Sequence, residues 1–308
     1  MIKAGIIGGS NPMAGELIRL LINHPDVEIM WVDSARYVGR LVSDVHHGLI
    51  GECELRISPS SANRLEDIDA LFIFRHKGQT LDWLSHHELP EDLRIIDLSV
   101  DMREPENARQ YDFVYGLPEL NRKAMVRGAK RAVVPHPAAL IAELTMLPMA
   151  KEGALANPIH VNVSMPERAE QIDSTADVTQ EIVNALRELQ ADFDQQIVLV
   201  AGPADDDRAL MATVEFDTDL DIGEILRLYE EFYEDHNFTF IINQAPEAKE
   251  VAGTNKCLMR IDKRDGHVRI SAMLDALIKG ASGTAVHDMN LLFGLHERVG
   301  LALKASTY

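Results

Sequence analysis

The chain opens on an apolar run, Ile2 to Gly8, that stops at glycine, as a strand buried on both faces of a parallel sheet does. From Met13 to His24 the apolar positions Leu17, Leu20 and Leu21 fall at helical spacing, which completes a strand, a turn and a helix. Val27 to Val32 predicts a second strand ending at Asp33. Ala70 to Phe74 and Arg94 to Leu98 predict two more, each flanked by polar, helix-compatible sequence. Strand and helix alternating in this way predict a parallel sheet covered on both faces. Ala132 to Val134 reads as another short strand closed by Pro135, and His136 to Lys151 as a helix that confines Pro137 to its first turn.

After Pro158 the pattern becomes strand-rich: Ile159 to Val163, Gln196 to Val200, Ala209 to Phe216, Phe238 to Ile242, Cys257 to Ile261 and His267 to Leu274. Two helices interrupt it. Val178 to Phe193 places Val178, Ile182, Leu186, Leu189 and Phe193 on one face, and Ile222 to Glu234 is the other. Asp265-Gly266 signals a hairpin, and Ala285 to Leu295 closes the chain as an apolar helix. The reading is a second domain of α+β type.

Composition narrows the function classes. At 308 residues with 46% hydrophobic and 26% charged side chains, the chain can bury two cores of ordinary size. It has no run of eighteen apolar residues and no signal-peptide layout, so the expectation is a cytoplasmic protein with no membrane partner. Two cysteines, Cys53 and Cys257, stand far apart without metal-ligand spacing. The adjacent pairs His46-His47 and His86-His87 point apart on a helix or strand, which suits the surface better than a metal, so no metal site is expected. With 49 acidic against 30 basic residues and a net charge of -19, nucleic acid is excluded as the main partner.

Between the first strand and helix stands Gly5-Ile6-Ile7-Gly8-Gly9-Ser10-Asn11-Pro12-Met13-Ala14-Gly15, where glycines let a pyrophosphate approach backbone amides at a helix N-terminus. The position suits a dinucleotide better than the spelling does. A third glycine is missing, and Pro12 removes an amide donor from the turn. Asp33, at the end of the second strand, would accept from an adenosine ribose and repel a 2'-phosphate, which favours NAD over NADP. The alternative is a tight strand-to-helix connection inherited from a nucleotide-binding ancestor.

Four segments resemble one family. They are Ile95-Ile96-Asp97-Leu98-Ser99-Val100-Asp101-Met102-Arg103, then Tyr115-Gly116-Leu117-Pro118-Glu119-Leu120-Asn121-Arg122, then Gly253-Thr254-Asn255-Lys256-Cys257, and last Lys279-Gly280-Ala281-Ser282-Gly283-Thr284-Ala285-Val286 with its continuation Asp288 to Leu295. In order and across nearly the whole chain, they are similar to the N-acetyl-gamma-glutamyl-phosphate reductases of arginine biosynthesis, within the semialdehyde dehydrogenase superfamily. The resemblance implies an α/β fold with a Rossmann-like dinucleotide-binding domain over residues 1–135 plus 282–308. A glyceraldehyde-phosphate-dehydrogenase-like α+β domain of catalytic and dimerisation type follows over 136–281. It further implies NADP or NAD as cofactor and a homodimer or homotetramer built on the second domain's sheet. Gly8, Gly9, Ser10, Asn11, Asp33, Ser34 and Gly283 would line the cofactor site, and Arg103 and Arg208 match positions near the substrate.

The family's reaction is a reductive dephosphorylation in which a cysteine thiolate captures an acyl phosphate as a thioester. Hydride from NADPH then releases the aldehyde, with a histidine as acid-base partner. The nucleophile lies in an Asn-Pro-Gly-Cys motif. Aligned through Leu147-Pro148-Met149-Ala150-Lys151, that motif here reads Val134-Pro135-His136-Pro137, so Pro137 stands at the nucleophile position. Cys257 matches a non-catalytic family cysteine, and Cys53 is placed in an early strand region. After Val161-Asn162-Val163 the family's long glycine-rich substrate loop is shortened to Ser164 to Thr179, and Val178 occupies the place of the histidine. Around the cofactor, the family's Gly-Tyr-Thr is Asn11-Pro12-Met13, its Ser-Ser-Arg is Asp33-Ser34-Ala35, and its Pro-His-Gly is His76-Lys77-Gly78 with one residue more.

His136 is the one neighbour that could substitute chemically, against an ordinary role as cap or surface histidine. Arg103 and Arg208 would hold an anion bidentately, with solvated surface arginines as the alternative. Asn255 and Ser282 are expected to satisfy backbone groups in turns. The leading expectation is a pseudoenzyme with no intact catalytic residue, acting as scaffold or regulator, including in a hetero-oligomer with an active relative. Its rivals are an NAD(P)-dependent reductase of an acyl phosphate by altered chemistry, and a protein that senses a dinucleotide or metabolite.

Overall fold

The structure is a computed structural model that describes residues 1–156 and 158–305. It divides into two compact units: Met1–Pro135 with Ala281–Ala302, and His136–Gly280 with the chain from Leu303. The segment 306–308, assigned from sequence to the first domain, lies outside the described residues.

The first unit holds strands β1 (Ile2–Ile7), β2 (Val27–Asp33), β3 (Ile57–Ser58), β4 (Ala70–Ile73), β5 (Arg94–Asp97), β6 (Val114–Tyr115) and β7 (Arg131–Val133). Its helices are α1 (Pro12–Leu21), α2 (Val42–Val45), α3 (Gln79–His86), α4 (Pro105–Gln110) and α5 (Pro118–Val126), together with the C-terminal helix Gly283–Leu292. All pairs in the seven-stranded sheet are parallel, in the order β3-β2-β1-β4-β5-β7-β6. The central strand β4 is buried along its whole length, as an apolar strand covered on both faces must be. β3 and β6 are two-residue strands with no run of apolar residues to announce them.

The C-terminal helix is buried at every position and packs against α1 and α5, returning the end of the chain to the first sheet. Arg94 fastens its end, donating from Nε to Leu292 O at 3.0 Å with its guanidinium 4.3 Å over the Phe293 ring. At its start, Ser282 Oγ donates to Met13 O at 2.6 Å, the backbone-satisfying role expected of it.

The second unit holds α6 (Pro137–Lys151), β8 (Ile159–Met165), α7 (Thr175–Leu189), β9 (Ile197–Pro203), β10 (Ala209–Asp217), α8 (Ile222–Tyr233), β11 (Thr239–Ile241), α9 (Ala248–Val251), β12 (Cys257–Arg264) and β13 (His267–Asp275). Its six-stranded mixed sheet runs β11-β12-β13-β10-β8-β9. Every residue of α6 from Pro137 to Ala150 is buried, so this helix is the centre of the unit's core rather than an amphipathic cover. Tyr229 and Tyr233 of α8 donate their hydroxyls to the α6 carbonyls of Thr145 and Leu144. Asp265 and Gly266 turn the β12–β13 hairpin with φ of 51° and 87°, the left-handed pair that such a two-residue turn requires. The helix expected to reach Phe193 ends at Leu189; Phe193 is still buried, by a turn in which its amide donates to Gln190 O.

Candidate functional site

The glycine turn sits where a parallel sheet offers a nucleotide its phosphate cradle, at the C-terminal end of β1 before α1. Gly8 has φ of +81°, and a Cβ there would fall 1.9 Å from Phe74 O; a Cβ on Gly9 would fall 2.1 Å from a Val32 methyl. Both glycines are therefore demanded by close packing of the turn on β4 and β2. Most of the turn's amides already have acceptors: Gly9 N donates to Asp33 O, Asn11 N to Gly8 O, Gly15 N to Asn11 O, and Met13 N to the Asn11 side chain. Pro12, the first residue of α1, has no N–H. Asn11 is thus the N-cap of α1, which accounts for its presence without any ligand.

Ser34 Oγ donates to Ser10 Oγ at 3.0 Å and ties the end of β2 to the turn. Asp33 is 5% exposed; its Oδ2 accepts from Ser60 Oγ at 2.8 Å, while its Oδ1 is buried with no hydrogen-bond partner among the described residues. Gly283 is the first residue of the buried C-terminal helix. His46, expected at the surface, is half-buried instead, with Nε2 2.6 Å from Gly9 O. No property of an adjacent histidine pair marks which member reaches a distant loop.

In the second unit, His136 is the N-cap of α6 and Pro137 its first residue. His136 is 5% exposed. Its Nδ1 accepts from Ala138 N at 3.1 Å, so in the neutral ring the proton sits on Nε2, which faces Gln171 O at 3.4 Å. Its backbone N–H donates to Glu181 Oε1 at 2.9 Å. Glu181 lies one turn along α7 from Val178, and both are buried. Between β8 and α7 only Pro166 to Ser174 remain, closed by Gln171, whose amide donates to the carbonyls of Pro166, Glu167 and Ala169. Glu181 and Gln171 were not singled out in the sequence; their importance comes from a contact across some forty residues that no local pattern encodes.

Arg103 is buried, donating from Nε to Val134 O at 3.0 Å, and is not a solvated surface arginine. Arg208 forks onto Asp275, with Nε to Oδ2 at 2.8 Å and a second bond to Oδ1 at 3.3 Å. Asp275 is fully buried and also accepts from the amides of Gly253, Leu277 and Ile278, so this pair organises the turns around β13. Asn255 departs from expectation. Neither its Oδ1 nor its Nδ2 has a hydrogen-bond partner among the described residues, and the neighbouring Thr254 takes the turn role instead, donating to Val251 O and accepting from Lys256 N. Both cysteines are buried, and Cys53 lies outside any strand, Cys257 at the start of β12. Asp97, at the end of β5, is fully buried, and burial raises its carboxyl to about 7 against the opposing hydrogen bonds from Ser99.

A parallel sheet with a glycine turn, followed by a mixed sheet wrapped on a buried helix, defines the class: a semialdehyde dehydrogenase fold. Residues 3–127 match the family described as "Semialdehyde dehydrogenase, NAD binding domain", and residues 177–276 match "Semialdehyde dehydrogenase, dimerisation domain". Among solved structures, aspartate semialdehyde dehydrogenase II of Vibrio cholerae is similar over 96% of this chain and 98% of its own, with a TM-score of 0.73 at 13% identity. The Candida albicans aspartate semialdehyde dehydrogenase, solved with NADP, is similar over 95% and 98% with a TM-score of 0.65.

Sequence relationships are closer. The chain is 41% identical to the N-acetyl-gamma-glutamyl-phosphate reductase of Parabacteroides distasonis and 40% identical to that of Bacteroides fragilis, in both cases over the full length of both proteins. It belongs to the N-acetyl-gamma-glutamyl-phosphate reductase family. The alignments extend over 327 residues while this chain has 308, so at least 19 alignment positions have no residue here.

Proposed function

We propose that this protein is a non-catalytic member of the reductase family, a pseudoenzyme that keeps the fold and the assembly surface and acts as a scaffold or regulatory partner. The observation that carries the reading is Pro137 as first residue of α6, where the family's nucleophile belongs. Proline offers no nucleophilic atom, and losing the nucleophile removes the covalent route rather than slowing it. His136 does not take the role over: its Nδ1 is engaged by Ala138 N and its Nε2 proton by Gln171 O, which leaves no free lone pair for a base. Alignment gaps of at least 19 residues agree with a shortened substrate loop.

The test is incubation of the purified protein with N-acetyl-glutamate semialdehyde, phosphate and NADP, following the reduced-nicotinamide absorbance. We expect a flat trace. Turnover that disappears in His136→Ala would overturn the reading.

A second element of the reading is nucleotide binding without turnover, favoured by the buried, unpartnered Oδ1 of Asp33. That oxygen fits an adenosine ribose hydroxyl, and the same carboxylate would repel a 2'-phosphate, so NAD is the better fit than NADP. The dimerisation-domain match supports a homo-oligomer, and the shared family surface extends to pairing with an active relative.

A further inference from the structure

Past the C-terminal helix, residues 294–301 form neither helix nor strand, so side chains must hold them to the first unit. Glu297 and Leu301 of this segment are buried. Asn290 grips it from the helix, donating from Nδ2 to Glu297 O at 3.2 Å and to Val299 O at 2.9 Å. Carbonyls only accept, so the Asn290 amide is oriented with Oδ1 on its other side, where His24 Nε2 lies 3.0 Å away. That nitrogen must therefore carry a proton. His24 Nδ1 meets the Asp26 amide at 3.2 Å, and an amide N–H only donates, so Nδ1 must be bare. Together the two contacts select the neutral ring with its proton on Nε2. The ring is buried directly beneath the segment: a Cβ on Gly300 would fall 2.3 Å from His24 Cδ2.

A proton on Nδ1 would face the Asp26 N–H, donor against donor, and leave a charged ring buried with a broken contact. Burial lowers the pKa of His24 below 6.5, outweighing the Asn290 hydrogen bond and the Asp26 carboxylate, which raise it. The charged groups around it are Asp26 on its own turn and, beyond Asn290, Glu297, which lies 2.7 Å from His287 Nε2 and 2.9 Å from the Arg122 guanidinium. His296 and Arg298 of the segment are exposed. We propose that His24 is an acid-released clasp for segment 294–301: neutral, it holds Asn290 in the orientation that grips the segment, and protonated it lets that grip go. Because neutral His24 is the form the fold prefers, the clasp is at full strength above pH 6.5 and weakens as pH falls toward the lowered value.

Hydrogen exchange on the full chain, read by mass spectrometry and corrected for the intrinsic pH dependence of exchange, tests this in wild type, His24→Gln and Asn290→Ala. In wild type, exchange in 294–301 is expected to quicken below about pH 6.5 by up to about tenfold per pH unit, the slope of one linked proton, while β4 stays protected. His24→Gln keeps a donor for Asn290 but cannot titrate, and is expected to hold the segment equally across the range. Asn290→Ala is expected to exchange fast throughout. An acid response in His24→Gln equal to that of wild type, or wild-type protection unchanged between about pH 7.5 and about pH 5, overturns the proposal. The His24 ring, followed by NMR in wild type, supplies a check that needs no variant. Its titration is expected to coincide with the loosening, and a ring that titrates while the segment stays protected overturns the proposal as well.

Discussion

At the scale of single residues, Pro137 and His136 show how two side chains serve the start of a buried helix. Proline suits the first position of α6, where no N–H is needed, and the histidine ring caps the next amide, so both residues have a structural role at the helix start. Asp97 is a titratable group of another kind. Burial raises its carboxyl to about 7, above the usual value near 4, so its protonated form is favoured on folding. Stability from this group is fully present below about pH 4 and is lost progressively until pH passes about 7. Denaturant unfolding of Asp97→Asn across that range is expected to show the variant gaining on wild type as pH rises; parallel pH profiles would remove Asp97 as the cause.

Elements show where local signals suffice. α8 begins at Asp221, whose side chain accepts from Glu224 N at 2.8 Å while Glu224 accepts from Asp221 N at 2.7 Å, a reciprocal cap on an exposed helix start. Asp221→Ala is expected to cost about 1 kcal/mol in urea unfolding with an unchanged slope against denaturant, and no loss would show the cap to be redundant. α6 obeys a different logic. Its apolar residues go all the way round, and its place is set by burial on every side, including the Tyr229 and Tyr233 hydroxyls on its carbonyls.

For the whole molecule, the second unit's sheet carries the assembly argument. Helices α6, α7 and α8 pack on one of its faces. On the other, Phe240, Leu258, Met273 and Met211 stand opposite one another in a single row across four strands, with Phe240 and Met211 40% and 37% exposed. An apolar row on an uncovered sheet face is what a second copy would bury. The double substitution Met211→Lys, Met273→Lys is expected to convert the assembly to monomer in sedimentation velocity, because a second copy would have to bury the two charges. An unchanged mass would place the interface elsewhere.

What the amino-acid sequence determined by itself is what local periodicity and chemical identity can encode. Strand and helix order, the hairpin at Asp265-Gly266, the glycine turn, and the proline that opens α6 are all properties of neighbouring residues. Tertiary structure alone decided the rest. Which carboxylate meets the His136 amide, that Arg208 is held by Asp275, that His46 reaches Gly9, and that Asp33 keeps an oxygen without a partner among the described residues depend on segments brought together from distant parts of the chain. Hydrogen bonding and desolvation act over a few ångströms in space, and sequence order carries no measure of that distance for residues tens of positions apart.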